Sequence, residues 1–193
     1  MIRFVAAVAL LWSVPALGAP DVEGDEDRLR AATVTLVPPR CAGVLLGDGG
    51  LALTAAHCLA DGERRLRVTL EDGREVGARV IEVDAERDLA LLKLRRRAGM
   101  GLEIAADLPD VGEIVLFAGR SDEAQPLQLA SVEDLRPCPT LPGVPAAIFT
   151  TIDGRKGDSG APVVDEDLQI IGIVHGGATC NILTPVNGWV SSE

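Results

Sequence analysis

Short apolar segments of four to nine residues, separated by Gly, Asp and Pro, run along the chain from residue 31 onward. Segments of this length with turn residues between them are typical of β-strands in barrels or sandwiches, not of a doubly wound sheet. No long amphipathic helix stands out, apart from one possible turn at 55–60. Six strands are predicted on each side of a break at 95–110, namely 32–37, 41–46, 50–54, 66–70, 75–83 and 88–94 before it, and 112–118, 127–133, 146–151, 161–164, 168–174 and 182–190 after it.

The first 18 residues have the pattern of a secretory signal peptide. Arg3 supplies the positive start, the nine-residue apolar run Phe4–Trp12 follows, and small residues precede the predicted cleavage site. The run is shorter than the roughly 20 apolar residues that a membrane span needs. We therefore expect 1–18 to be a signal peptide and 19–30 to be an acidic, solvated leader outside the fold. The pattern predicts a secreted or periplasmic protein without a membrane anchor.

The composition excludes several classes of protein. The 193 residues include 29 acidic and 18 basic ones, giving a formal net charge of −11, which disfavours binding to the phosphates of nucleic acid. Aromatic residues make up only 3% of the chain, so few side chains could stack on bases. With two histidines in all, a histidine metal cage is not expected, and we predict neither a metal nor another cofactor.

The chain has four cysteines, an even number that favours disulfides in an exported protein. Their spacing fits no close-set zinc motif. Three pairings are open on arithmetic alone. The cysteines are Cys41, Cys58, Cys138 and Cys180.

Two segments carry candidate chemistry, Leu53–Cys58 (LTAAHC) and Gly157–Pro162 (GDSGAP), and between them Asp88 opens an apolar strand. A serine hydroxyl becomes a useful nucleophile when a neighbouring base takes its proton, and His57 has a pKa suited to that task. A carboxylate on the far ring nitrogen fixes the tautomer of the base. Glycines on both sides of Ser159 allow a sharp turn in which backbone N–H groups face a developing oxyanion.

In this order, TAAHC, DLALLKL and GDSGAP resemble the three catalytic motifs of the chymotrypsin-like (trypsin-like) serine protease family. The resemblance extends over about 31–190, and the spacing of the motifs is that of a compact bacterial-type member. It implies an all-β fold of two six-stranded antiparallel β-barrels with the active site between them. The protease domain would cover 31–193, with the first barrel at about 31–100 and the second at about 108–190.

The resemblance also implies roles for individual residues. His57 would be the general base, Asp88 its orienting carboxylate and Ser159 the nucleophile. The backbone amides of Gly157 and Ser159 would form the oxyanion hole. The family's usual bridge beside the catalytic histidine matches Cys41 with Cys58, which leaves Cys138 with Cys180.

The chain departs from the family pattern at two positions near the predicted triad. No Arg/Lys-Ile-Val-Gly-Gly activation sequence is present, so Asp158, whose family counterpart pairs with a freed N-terminal amine, must find another partner. His175 stands where the family usually has a serine that hydrogen-bonds the triad aspartate. Because strand side chains alternate between faces, we expect His175 to point toward Asp88. A functional and a purely structural role for His175 both remain open.

The specificity pocket is the second region of departure. Asp153 lies six residues before the serine, where trypsin-like members place an acid that selects Arg or Lys before the scissile bond. Arg155 and Lys156 follow closely, and either could neutralise it. Asn181 falls where the family has a pocket-lining glycine, which would narrow the pocket. Gly177 keeps a backbone edge on which a peptide could pair.

The sequence therefore predicts an exported serine endopeptidase that hydrolyses polypeptides through an acyl-enzyme on Ser159, with cleavage after basic residues as one expectation. A catalytically silent binding module with the same fold is the first alternative. An esterase-like hydrolase using the same triad is the second. The physiological substrate, the activation mechanism and the oligomeric state do not follow from the sequence.

Overall fold

In the part of the chain that the structure describes, an N-terminal helix is followed by twelve strands, which close into two antiparallel barrels. The computed structural model describes residues 22–38, 40–60, 62–120, 125–176, 180 and 182–189. The predicted signal peptide, 1–18, lies outside the described residues, as do Gly177 and Asn181. No helix within the described ranges has the length and apolar character that crossing a membrane requires.

The first barrel follows helix α1 (Val22–Ala32) directly. Its strands pair in the order β1-β2-β3-β6-β5-β4, and pairing of β1 with β4 closes it. In β4 the buried and exposed side chains alternate, as expected for a strand with one face toward a core. The strands are β1 (Thr33–Val37), β2 (Cys41–Leu46), β3 (Leu51–Ala55), β4 (Arg65–Thr69), β5 (Glu75–Asp84) and β6 (Leu89–Leu94).

The second barrel repeats this plan with shorter strands. They pair in the order β10-β11-β12-β9-β8-β7, and the contact of Val164 with Leu116 joins β10 to β7 and closes the barrel. The two closed six-stranded barrels confirm the predicted fold class, and each predicted strand overlaps an observed one. The strands are β7 (Ile114–Phe117), β8 (Gln128–Arg136), β9 (Ala147–Thr150), β10 (Pro162–Val164), β11 (Ile170–Val174) and β12 (Ile182–Pro185).

One apolar cluster is shared by the helix and both barrels. It includes Leu29 of α1, Leu53 of β3, Leu89 of β6, Val164 of β10 and Ile173 of β11, each with 1% or less of its surface exposed. Separate clusters fill the interior of each barrel. The shared cluster therefore holds β3, β6, β10 and β11 together, and His57, Asp88, Ser159 and His175 lie close to the ends of these strands.

The expectation that 19–30 is a solvated leader outside the fold is wrong for the residues of α1. The acidic residues of this segment predict a solvated stretch, but Leu29 and Ala32, three residues apart, lie on one face of the helix and are fully buried. Two apolar residues among many charges make a weak periodic signal, which is why the pattern does not indicate the helix.

Both disulfides that the resemblance implied are present. Cys41 is bonded to Cys58, with a Cα–Cα distance of 6.0 Å, and this bond ties the start of β2 to the turn after β3. Cys138 is bonded to Cys180, with a Cα–Cα distance of 6.5 Å, and this bond ties the segment after β8 to the segment before β12.

Replacing Leu29 by Ala is expected to lower the free energy of unfolding by about 2–5 kcal/mol, because the change leaves a cavity in the shared cluster. The matched control is Leu129→Ala, at a residue that is 65% exposed; it should change the free energy by less than about 0.5 kcal/mol. Urea unfolding followed by circular dichroism measures both. Equal effects would show that α1 does not pack on the barrels in solution.

Candidate active site

His57 lies in a short 3₁₀ turn, Ala56–Cys58, that follows β3 without interruption. The amide N of Ala56 donates to the backbone oxygen of Asp88 at 2.9 Å, and Cys58 is held by its disulfide. The amide N of His57 itself donates to Asp88 Oδ1 at 2.8 Å. The imidazole, which is 43% exposed, therefore stands at a fixed place on the rim of the first barrel and is open to solvent.

Asp88 directly precedes β6 and has a φ of +57°, a left-handed conformation that aspartate tolerates better than most residues. Its side chain is only 8% exposed. Oδ2 accepts from Nδ1 of His57 at 2.7 Å and from Nδ1 of His175 at 2.5 Å. A buried carboxylate needs donors of this kind, because an unpaired charge in the interior is costly.

His175 follows β11 and brings its ring from the second barrel to the carboxylate of the first. Its side chain is 13% exposed. The rings of His57 and His175 meet edge to face, with centroids 5.5 Å apart and an interplanar angle of 89°. His175 thus points toward Asp88, as strand alternation predicted.

These contacts shift two pKa values. Burial raises the pKa of Asp88, but the hydrogen bonds from His175 and His57, with the positive charge of protonated His57, outweigh burial and lower the pKa from 3.8 to about 2. The hydrogen bond to Asp88 raises the pKa of His57 above 6.5, against the opposing effect of burial. Asp88 therefore stays ionised near neutral pH, and His57 binds a proton more readily than an isolated histidine.

Ser159 sits between two glycines whose conformations few other residues adopt. Gly157 has a φ of +101° and Gly160 a φ of +88°. A Cβ added at Gly160 would lie 2.1 Å from the backbone oxygen of Ala42 in β2. The amide N of Ala42 donates to the backbone oxygen of Ser159 at 2.8 Å, so the serine turn of the second barrel is fixed directly to the first.

The Ser159 hydroxyl faces the second histidine in this structure. Among the hydrogen bonds of the described residues, Oγ donates to the backbone oxygen of His175 at 3.4 Å, and none joins Oγ to His57. The serine, the two imidazoles and the Asp88 carboxylate thus converge where the barrels meet.

Asp158, which follows Gly157 and precedes Ser159, is 1% exposed and has found its partners inside the second barrel. Oδ1 accepts from the amide N of Arg120 at 3.2 Å and from Nε2 of Gln125 at 3.0 Å, while Oδ2 accepts from the amide N of Arg155 at 2.7 Å. Three donors therefore take the place of the N-terminal amine that the resemblance assigns to this carboxylate in zymogen members.

A family model for a trypsin-like peptidase domain matches residues 41–173. The chain belongs to the trypsin-like peptidase family. It is 29% identical over 151 residues to serine protease HTRA1 of Xenopus laevis, a match that covers 68% of this chain and 30% of that protein. It is 26% identical over 137 residues to a probable periplasmic serine endoprotease, DegP-like, of Chlamydia muridarum, covering 69% and 27%. The chain thus spans about 30% of the length of these relatives.

The fold also matches a solved structure, the Rv3671c protease in an inactive form. The TM-score is 0.69, and the match covers 92% of this chain and 93% of that one. The sequences are 22% identical, so this likeness bears on the fold of this trypsin-like peptidase domain alone.

The specificity residue predicted for the trypsin-like peptidase domain is placed differently from expectation. Asp153 is exposed, and its backbone pairs with the side chain of Gln128 through its amide N at 2.9 Å and its oxygen at 3.1 Å. Arg155 and Lys156 are exposed as well. The expected buried carboxylate, facing a guanidinium, is therefore not formed at Asp153.

A cleft of about 710 Å³ opens beside the imidazole of His57 on the first barrel. The turn that carries His57 forms one wall, and β5 forms the other. Two apolar side chains of β5, Ile81 and Val83, are 43% and 53% exposed there. The cleft gives an extended chain an apolar surface next to the candidate base.

Among the described residues, the same cluster also has the spacing of a group that could hold a metal ion. Ligand atoms of His57, Asp88 and His175 lie within 4.8 Å of one another. The Nδ1–Oδ2 distances of 2.7 and 2.5 Å are those of hydrogen bonds to a carboxylate, which use the same atoms. Cys41 and Cys58, which also lie near His57, are joined in a disulfide and offer no thiolate.

Sequence reasoning missed two residues of this site. Arg120 and Gln125 hold Asp158, and both are buried, with 3% of their surface exposed. No motif marks them, since Arg120 contributes its backbone N–H and Gln125 lies in a turn-rich segment.

Replacing Asp88 by Asn is expected to lower the pKa of His57, because the neutral amide removes the charge and the strong acceptor that stabilise the imidazolium. NMR titration of the ring protons measures this, and the chain has only two histidines to assign. The control is Asp48→Asn, at a side chain that is 58% exposed and pairs with Arg97. A pKa of His57 that is the same in both variants would contradict the assigned hydrogen bond.

Proposed function

We propose that the chain is a serine endopeptidase in which Ser159 attacks the peptide carbonyl, His57 is the general base and Asp88 orients His57. The observation that carries the proposal is the buried Asp88 carboxylate, which holds the His57 ring at 2.7 Å beside the Gly-Asp-Ser-Gly turn. Membership of the trypsin-like peptidase family supports the same roles.

The proposed reaction proceeds in two halves. In the first, the Ser159 Oγ–carbonyl carbon bond forms as the Oγ proton moves to Nε2 of His57, and the peptide C–N bond breaks as that proton passes to the leaving amine. In the second, water gives its proton to His57 and hydrolyses the ester, and Ser159 regains its proton. The backbone N–H groups of Gly157 and Ser159 would stabilise the oxyanion in both halves.

Before the first step, the hydrogen bond between Ser159 Oγ and the backbone oxygen of His175 must break, and the serine side chain must rotate toward His57. A 3.4 Å hydrogen bond is weak, and a serine side chain has other staggered rotamers, so the change costs little. We propose that a substrate carbonyl in the site selects the rotamer that faces His57. Catalytic hydrogen bonds are often long before substrate binds and shorten in the complex.

The substrate is proposed to be an extended polypeptide. The cleft beside His57 would receive its side chains next to the scissile bond, with Ile81 and Val83 as the apolar contacts. A substrate that pairs with the protein as an extra β-strand gains most of its affinity from main-chain hydrogen bonds. Binding of this kind does not require that one substrate side chain be deeply buried in a specificity pocket.

A catalytically silent binding module is the second candidate. The hydrogen bond of Ser159 Oγ to the backbone oxygen of His175, rather than to His57, favours it. An esterase-like hydrolase would use the same acyl-enzyme. Active-site labelling separates the silent module from both enzymes, and the relative rates on amides and esters separate the enzymes from each other.

We further propose that the chain works outside the cytoplasm, in the periplasm or the extracellular medium. All four cysteines are joined in disulfides, which persist in oxidising compartments. The relative in Chlamydia muridarum is described as periplasmic. The apolar run at the N-terminus of the sequence has the pattern of an export signal.

A fluorophosphonate probe is expected to label wild-type Ser159 at neutral pH, and mass mapping locates the adduct. Ser159→Ala should abolish labelling and lower peptidase activity on the order of 10⁶-fold, because the nucleophile is gone. His57→Ala should slow labelling strongly, since no base then takes the proton. Ser131→Ala, at a serine of β8, is the matched control. A wild-type chain without an adduct on Ser159 would reject both enzyme assignments.

The exposed position of Asp153 predicts weak selection for basic residues before the scissile bond. An exposed ion pair contributes about 0–1 kcal/mol, which corresponds to at most about a fivefold preference. Profiling a peptide library with the wild type and with Asp153→Asn measures this preference, with Asp165→Asn as the control. A loss of more than tenfold for Arg and Lys in Asp153→Asn alone would show that Asp153 forms the selective pocket after all.

A further inference from the structure

Arg30, in the last turn of α1, connects the N-terminal helix to the second barrel. Its guanidinium is 18% exposed and is anchored within the helix by Glu26, with Nε donating to Oε1 at 2.8 Å. Nη1 donates to the backbone oxygen of Ala118 at 3.4 Å, and Nη2 donates to the backbone oxygen of Gln125. Leu29, the preceding residue, is fully buried and fixes the helix against the barrels.

The two carbonyls that Arg30 binds belong to Ala118 and Gln125. Gln125 itself and Arg120, two residues after Ala118, supply two of the three donors to Asp158. The amide N of Arg120 and Nε2 of Gln125 both bind Oδ1. The Gln125 side chain reaches this oxygen by folding back over Gly119, where an added Cβ would lie 2.4 Å from Nε2. One guanidinium therefore binds both Ala118, next to the residues that lead to Arg120, and Gln125, and Arg120 and Gln125 are the residues that bind Asp158.

Asp158 lies between the two residues whose amides would form the oxyanion hole, Gly157 and Ser159. The guanidinium of Arg120 also packs on this turn, because a Cβ added at Gly157 would lie 1.7 Å from its Nη1. The contacts thus lead from α1, through residues 118–120 and Gln125, to the turn that carries Ser159. Donors are effective when they lie roughly 2.7–3.1 Å from the oxyanion, within about 0.5 Å of the productive geometry.

We propose that Arg30 is a positioning residue for the oxyanion hole: by binding the backbone oxygens of Ala118 and Gln125 it keeps Asp158, and with it the Gly157 and Ser159 amides, in the reactive arrangement. This inference rests on the proposed function. In zymogen members of the family, a freed N-terminal amine holds the carboxylate before the serine. In this chain, which lacks the activation sequence, the Arg30 guanidinium would hold Asp158 indirectly, through Gln125. The helix thereby becomes part of the catalytic framework without touching substrate.

The test is steady-state kinetics of Arg30→Ala on a chromogenic peptide amide, with the rate of fluorophosphonate labelling as a second readout. We expect kcat to fall about 10- to 100-fold with KM changed less than about threefold, because ground-state binding does not use the oxyanion donors. Labelling should slow in the same proportion. Arg28→Ala is the matched control, since Arg28 belongs to the same helix, is 67% exposed and, among the described residues, forms an ion pair only with Asp25, at 4.0 Å. Its kcat should stay within about twofold of wild type.

Two further variants keep the test decisive if Arg30→Ala does not fold. Arg30→Lys keeps the charge but has no planar fork to bind both carbonyls, so it should give an intermediate loss of kcat. Gln125→Met removes one donor to Asp158, and combining it with an Arg30 substitution should cost less than the product of the two single losses, because both act through Asp158.

The outcomes distinguish this inference from the function on which it rests. An active, folded Arg30→Ala with the kcat of Arg28→Ala would overturn the positioning role alone, as would a loss confined to KM or a strictly multiplicative loss in the double variant. A wild-type chain that neither labels nor cleaves would overturn the proposed function and this inference with it.

Discussion

The close approach of two backbones at Gly160 is the constraint on which the rest of the site depends. No side chain fits there, because the backbone oxygen of Ala42 occupies the place of a Cβ, and the adjacent Ser159 oxygen accepts the Ala42 amide. A strand of the first barrel and the serine turn of the second are thus fixed at hydrogen-bonding distance. Neither barrel could shift along the other without breaking this contact. The shared apolar cluster supplies the burial that keeps the two surfaces together.

The Asp88 carboxylate forms the second link across the same junction. A charge with 8% of its side chain exposed must be satisfied, and its donors come from both barrels, His57 from the first and His175 from the second. Its lowered pKa shows that these donors outweigh burial. The geometry of the candidate site is therefore a property of the assembled pair of barrels, not of either barrel alone.

The sequence predicted those features that local chemistry determines. Strands bounded by Gly, Asp and Pro appear where the pattern placed them, and the alternation of strand side chains correctly directed His175 toward Asp88. The resemblance to a known family supplied the closure into barrels and the disulfide pairing, which spacing alone left open. The triad roles remain a proposal, although the structure brings His57 and Asp88 into contact.

What the sequence could not show depends on contacts between distant residues. Arg30 is one charge among many in an acidic segment, and the contacts that join it to the second barrel are with the backbone oxygens of residues 88 and 95 positions away. The role of Gln125 is apparent only from the fold, which brings its side chain to Asp158.

One oxygen of Asp88 accepts hydrogen bonds from two imidazoles, and this determines where the protons lie on the two rings. A nitrogen lone pair facing Oδ2 would be repelled, so each ring carries hydrogen on Nδ1, and in a neutral ring the lone pair is then on Nε2. One carboxylate thus fixes the Nδ1 proton of two imidazoles, and His57, which is 43% exposed against 13% for His175, is the more open of the two to a bound substrate or to water.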